Sequence, residues 1–245
     1  MSRPKRERTP IWARPAPGAR KPTYSREQIA ATAIAIADSD GFDAVSMRRI
    51  ASELGAGTMS IYHYVRGKDE LVALVADMMM SEMVVPDDEL PDGWRDGMAE
   101  IARRTRALFK RHPWIVEHMD EGDPEHTGPS MLRHIEQTLA VTARTGLSAD
   151  EQFELSAIVD DYVFGYAMRY HENVDTTARL DAVFAYLKEQ LGTGEYPHLE
   201  AFAGDDAGAA FAHAMQLAAD DDRFERGLQR VLDGLELWVE RARKA

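Results

Sequence analysis

GFDAVSMRRIASELGAGTMSIYHYVRGKDEL, residues 41–71, is the stretch on which the fold turns. Ser46 stands as an N-cap ahead of Ile50 and Leu54, one helical turn apart, and Gly55 and Gly57 bracket a turn too tight for a continuous helix. Thr58 opens a further short helix, predicted over 58–65, whose Ile61 and Val65 can pack back on Ile50 and Leu54. Two short helices joined by a glycine turn make a helix-turn-helix, predicted over 46–65. With the apolar stripe turned inward, Thr58, Met59, Ser60, Tyr62, His63 and Tyr64 are left facing out. Such side chains reach base edges, thymine methyls and phosphates. Arg48 and Arg49 begin the first helix of the pair, where a guanidinium can hold a phosphate or a guanine edge.

Working outward, Ser25 and Gln28 stand at capping-box spacing, and Ile29, Ala33, Ile36 and Ala37 recur at helical spacing until Asp40-Gly41 stops them. This predicts a helix over 25–40. Downstream, Gly67 interrupts the pattern and Leu71, Leu74, Val75 and Met78 start a helix running to about Met83. Residues 25–83 therefore read as one small domain. Residues 84–93 hold Pro86, Pro91 and four acids and read as a linker to a larger domain, 94–245. That domain shows helical periodicity over 94–110, 130–145, 149–172, 177–191, 206–219 and 221–243, with a short helix from about Trp114. No alternating strand pattern appears, so the class is all-α, and there is no internal repeat.

Charge divides the chain. Residues 1–68 carry 12 Lys and Arg against 6 Asp and Glu, the remainder 17 against 36, and the total is -13. A basic end on an acidic body suits a protein that presents one face to phosphates. Residues 1–24 hold Arg3, Lys5, Arg6, Arg8, Arg14, Arg20 and Lys21 with five prolines, and read as a disordered basic arm able to lie along DNA. The absence of cysteine removes disulfides, thiolate metal sites and cysteine nucleophiles. No apolar run of about 18 residues and no secretory leader pattern occur, which predicts a cytoplasmic protein without a membrane partner.

On residues 41–55 and 58–71 the chain resembles the tetracycline-repressor (TetR) family of bacterial regulators. The shared features are a first helix ending in Gly-Phe, a second of type Ser-x-Arg-x-Ile-Ala, a Tyr-x-Tyr/His third helix and Lys68 at the foot of the fourth. Trp94-Arg95, Arg111-His-Pro-Trp114 and Phe224 to Leu235 extend the likeness to the C-terminal subgroup named after the same repressor. The resemblance implies nine or ten helices, a dimer, double-stranded operator DNA as partner, and a small-molecule effector in the C-terminal domain. It implies Arg48 near base edges, Thr58 and Ser60 on bases or phosphate, Tyr62 and Tyr64 on the backbone, and Lys68 holding a phosphate at a helix N-terminus. Gly57 and Gly67 depart from the family, replacing a polar contact at the turn and a polar helix cap.

Aromatic walls with polar tips make an effector pocket, for which Trp94, Phe109, Trp114, Met131, Phe153, Tyr162, Tyr166, Met168 and Tyr170 are candidates. Most such residues in any helical domain are core. For a dimer, Ala157, Ile158, Asp161, Gly165 and Met168 on one helix and Leu228, Val231, Leu235 and Trp238 on the last could form a four-helix bundle across a two-fold axis. His118, Asp120, Glu121, Asp123 and His126 match no metal-ligand spacing, and Asp160, Asp161 and Glu172 lack a nucleophile or oxyanion site beside them. Neither an enzyme nor a cofactor is implied. A helical protein-interaction scaffold is the rival reading, separable by whether the chain binds a discrete DNA sequence.

Overall fold

The computed structural model describes residues 11–14, 24–118, 127–171, 185–187, 189–191, 193–219 and 221–244. Among them eleven α-helices and two 3-10 turns occur and no strand. The helices are α1 (Arg26–Asp40), α2 (Met47–Glu53), α3 (Thr58–Tyr62), α4 (Lys68–Met83), α5 (Trp94–Arg111), α6 (Ile115–His118), α7 (Pro129–Ala143), α8 (Ala149–His171), α9 (Pro197–Ala203), α10 (Ala207–Ala219) and α11 (Asp221–Ala242). Among the described residues that exceeds the nine or ten that the resemblance implies. The helix predicted over 177–191 falls largely outside the described residues, and α9, begun by Pro197 at its first position, was not anticipated.

The head forms for the local reasons its sequence supplies. Ser25 accepts the Gln28 N–H at 3.1 Å while the Gln28 side-chain oxygen accepts the Ser25 N–H at 2.9 Å, so α1 starts on a closed capping box. It ends at Gly41, whose φ of 82° favours glycine. Ser46 caps α2 through the Arg49 N–H, and Gly55, at φ 63°, turns the chain toward α3. Ile29, Ile36, Ile50, Ile61, Val65, Leu71 and Leu74 close the core between α1, α2, α3 and α4. α3 is shorter than predicted, because Ile61 carbonyl already accepts the Tyr64 N–H at 2.9 Å in a turn that tucks Tyr64 and Val65 inward.

α4 leaves the head and enters the second domain, packing on α7 and α5, while α8 packs on α5 and α7 and α11 lies across α5 and α8. The stretch 84–93, read as a linker, is anchored. Val85 is fully buried, its N–H donates to Gln137 Oε1 at 2.9 Å and its carbonyl accepts Gln137 Nε2 at 2.7 Å. One buried amide thus satisfies both main-chain polar groups of a buried residue. The basic arm is also corrected in part: Ile11–Ala13 form a 3-10 turn, and Ile11 is only 3% exposed. The other arm residues in question, apart from Arg14, lie outside the described residues, as do Asp120, Glu121, Asp123, His126 and Glu172.

Candidate nucleic-acid interface and effector region

The head presents one edge. On α3, Met59 is 73% and Tyr62 43% exposed, His63 is exposed beyond the helix end, and Thr58 and Ser60 are half-buried at its start. Arg48 on α2 and Lys68 at the first position of α4 are exposed as well. Apolar and polar groups that a folded head leaves uncovered in this pattern form a surface that can enter a groove while cations meet the phosphates.

Two candidates on this edge sit differently from the prediction. Tyr64 is 8% exposed and belongs to the head core, because the turn after α3 rotates it to the side of Val65. Arg49 is exposed but engaged: its Nε meets Glu53 at 2.9 Å and its Nη2 meets Asp40 at 3.1 Å. Two carboxylates hold this guanidinium against the end of α1, whereas Arg48, one residue earlier and about 100° around the helix, projects elsewhere. The corner before α4 is closed by Glu70, which accepts the Arg66 N–H at 2.7 Å and pairs with Arg14 at 2.5 Å.

Head and body meet through Asp38 near the end of α1. Its Oδ1 lies 2.6 Å from His112 Nδ1 and accepts Trp114 Nε1 at 2.8 Å, and Trp114 stacks on Phe42 with ring centroids 5.1 Å apart. Glu82 of α4 lies 3.6 Å from His112 Nε2 and pairs with Arg111. The Arg111-His112-Pro113-Trp114 corner therefore grips both α1 and α4. Asp38, Glu82 and His112 were not singled out from sequence, although the Arg-His-Pro-Trp motif was visible; a polar pair 74 residues apart leaves no local signal.

The proposed effector residues do not all come together. Phe109 packs edge-on to Phe164 at 4.9 Å between α5 and α8, while Tyr162 and Tyr166 pack on Phe224 at 5.4 and 5.1 Å in an aromatic cluster between α8 and α11. Arg106 joins it, its guanidinium 4.6 Å from the Phe224 ring centre and 5.5 Å from that of Tyr166. Tyr162 donates to the Phe224 carbonyl at 2.8 Å, and burial pushes its phenol above the ordinary value. Gly227 makes room for that hydroxyl, since a Cβ there would lie 2.1 Å from it. Trp94 is core and Met131 half-buried on α7. Trp114 belongs to the head–body junction instead. Phe153 is 71% exposed: Leu155, Val159 and Val163 are the buried stripe of α8, and Phe153, two residues from Leu155, falls about 200° away.

That outward side of α8 also carries Ile158, Asp161, Gly165 and Met168, all exposed, with Ala157 half-buried. On α11 the expectation is corrected. Leu228 and Leu235 join Phe224, Leu232 and Val239 in the core of their own subunit, while Val231 and Trp238 flank that stripe half-buried. α11 is pinned in this rotation by Arg95, which reaches Asp233, Glu236 and Gln229, and by Arg103 on Glu225.

Residues 29–75 match the family described as bacterial regulatory proteins, tetR family, and residues 85–239 match the tetracyclin repressor-like C-terminal domain. The HTH-type transcriptional repressor DrrR1 of Streptomyces coeruleorubidus is 36% identical over 231 residues, covering 91% of this chain and 81% of that protein. Apo ActR from Streptomyces coelicolor has a similar structure, with a TM-score of 0.68 and 29% identity over 91% of this chain and 100% of that one. ActR in complex with actinorhodin matches with a TM-score of 0.68 and 28% identity, over 86% and 95% of the two chains.

Proposed function

The chain belongs to the TetR family of bacterial transcriptional regulators, and from that premise we propose that it is a homodimeric cytoplasmic repressor, not an enzyme, released from its operator by an aromatic small molecule. The observation that carries this reading is the head edge, where Met59, Tyr62 and His63 stand exposed between Arg48 and Lys68. In the proposed complex α3 enters the major groove, Met59, Tyr62 and His63 meet base edges and methyls, and Thr58 and Ser60 bond at the rim. Arg48 reads a base edge. Lys68 holds a phosphate, and Arg49, committed to Asp40 and Glu53, fixes the angle of α2.

An aromatic effector is supported by the cluster of Tyr162, Tyr166 and Phe224 with Arg106 over it, which suits a flat ring system. The ActR complex with actinorhodin supports the same class. A ligand that shifts α5 moves the His112–Trp114 corner, and through Asp38 and Glu82 it tilts both heads relative to each other. The test is selection of genomic DNA bound by the full chain, followed by titration of the recovered site at two salt concentrations. A discrete site bound far more tightly than unrelated DNA is expected; equal binding to all DNA, or none, would leave the chain a protein-interaction scaffold.

A further inference from the structure

Resting on the reading that the head binds DNA, we infer that the N-terminal turn Ile11–Ala13, with Arg14, is a positioning strap that fixes the orientation of the head on the body. Ile11 is buried in the common core, and Arg26 Nη1, at the start of α1, donates to the carbonyls of Ile11 at 2.9 Å and Arg14 at 3.1 Å. Arg14 pairs with Glu70 in the first turn of α4. Trp12 lies on the other side of the junction. A Cβ added to Gly128 would meet Trp12 Cζ2 at 2.8 Å and Asp77 Oδ1 at 2.2 Å, so the indole closes over the start of α7, where Asp77 also accepts the Ser130 N–H at 2.7 Å. Four residues thus tie α1 and the foot of α4 to α7.

The position of this tie gives it its role. The Asp38 contact with His112 and Trp114 sits at one end of α1 and the Arg26 contact at the other, twelve residues or about 18 Å apart along the helix. One attachment leaves a rigid body free to rotate about it. Two attachments that far apart remove that rotation, and two heads must hold their angle to meet major grooves a set distance apart. The strap also withdraws charge from the DNA: the Arg14 side chain is 13% exposed and committed to Glu70, so this arm cation works as a fastener and adds nothing to phosphate binding.

The test uses the full-length dimer and an operator selected with the unaltered chain, together with versions whose half-sites are moved by one or two base pairs. Affinities are measured by fluorescence anisotropy over a salt series for the unaltered chain, Trp12→Ala and Ile11→Ala/Trp12→Ala. The strap requires that both variants weaken binding at native spacing and lose at least about fivefold of the discrimination against altered spacing, with the salt slope unchanged. A loss equal at all spacings with a lower slope would make the segment a DNA-contacting arm, and an unchanged spacing profile would make it a passive tail; either overturns the inference. Trp12 is only partly buried, so Trp12→Ala alone decides the matter should the double variant fail to fold. If the unaltered chain selects no DNA, the DNA-binding reading itself falls, an outcome distinct from a failure of the strap.

Discussion

At the scale of single residues, neighbouring cations divide into different kinds of contact. Lys68 stands exposed at the start of α4, where a phosphate contact carries no base information, so Lys68→Ala should weaken binding to every sequence alike and reduce the salt slope by about one. Arg48→Ala should relax preference at one position per half-site, at a cost of about 1–3 kcal/mol there. Comparing the two on a panel of operator variants checks both, and equal losses across the panel for Arg48→Ala would assign it to the backbone. His134, on α7, is the other residue with a consequence that can be measured. Burial pushes its imidazole below the ordinary value, so as pH falls through about 6.5 the unfolded chain takes up a proton that the folded protein resists. The stability His134 permits is full above that pH and declines below it. His134→Leu should therefore narrow the fall in melting temperature between pH 7 and pH 5, and parallel curves for the two proteins would refute the assignment.

At the scale of elements, α4 and the Arg111–Trp114 corner form the path between domains. Asp38 accepts from a buried indole and faces a buried imidazole, and it is the single carboxylate that both contacts share. Asp38→Ala takes the partner from the Trp114 indole N–H and from His112 Nδ1 at a cost of about 2–5 kcal/mol, and it also unpins one end of α1. The expected result is a lower melting temperature together with operator binding that no longer responds fully to effector. Trp114→Phe, which keeps the stacking on Phe42 but drops the hydrogen bond, should show the second effect with less of the first. Effector-release curves for both variants check this; full release with the original midpoint in both would remove the corner from the pathway.

At the scale of the whole molecule, the exposed side of α8 and the divided charge set how two chains meet each other and DNA. Phe153, Ile158 and Met168 leave an apolar side of α8 uncovered, which a second subunit can cover. Ile158→Glu with Met168→Glu should yield a folded monomer in sedimentation, with operator affinity lowered by orders of magnitude because half the contacts are lost. A dimer that persists would place the interface elsewhere. Acidic residues predominate after residue 68, so the body is repelled by the same polyanion that the head attracts, and encounter is biased toward the productive orientation.

What the sequence determined by itself was everything that rests on local spacing. The capping box at Ser25 and Gln28, the N-cap at Ser46, the glycine turns at Gly41 and Gly55, and the all-α class follow from residues within a turn or two of each other, whose backbone preferences act before any long-range contact forms. Which way a side chain finally pointed was decided only by tertiary packing. Tyr64, Phe153, Leu228 and Leu235 all lie on helices or turns that sequence located, yet a rotation of 100° to 200° about an axis separates a DNA contact, a pocket wall or an interface from the core. Asp38 with His112, Gln137 with Val85, and the strap at Ile11–Arg14 join residues 52 to 74 positions apart or reach across two domains. Such pairings stabilise only after the chain has closed those loops, so no pattern of neighbours announces them.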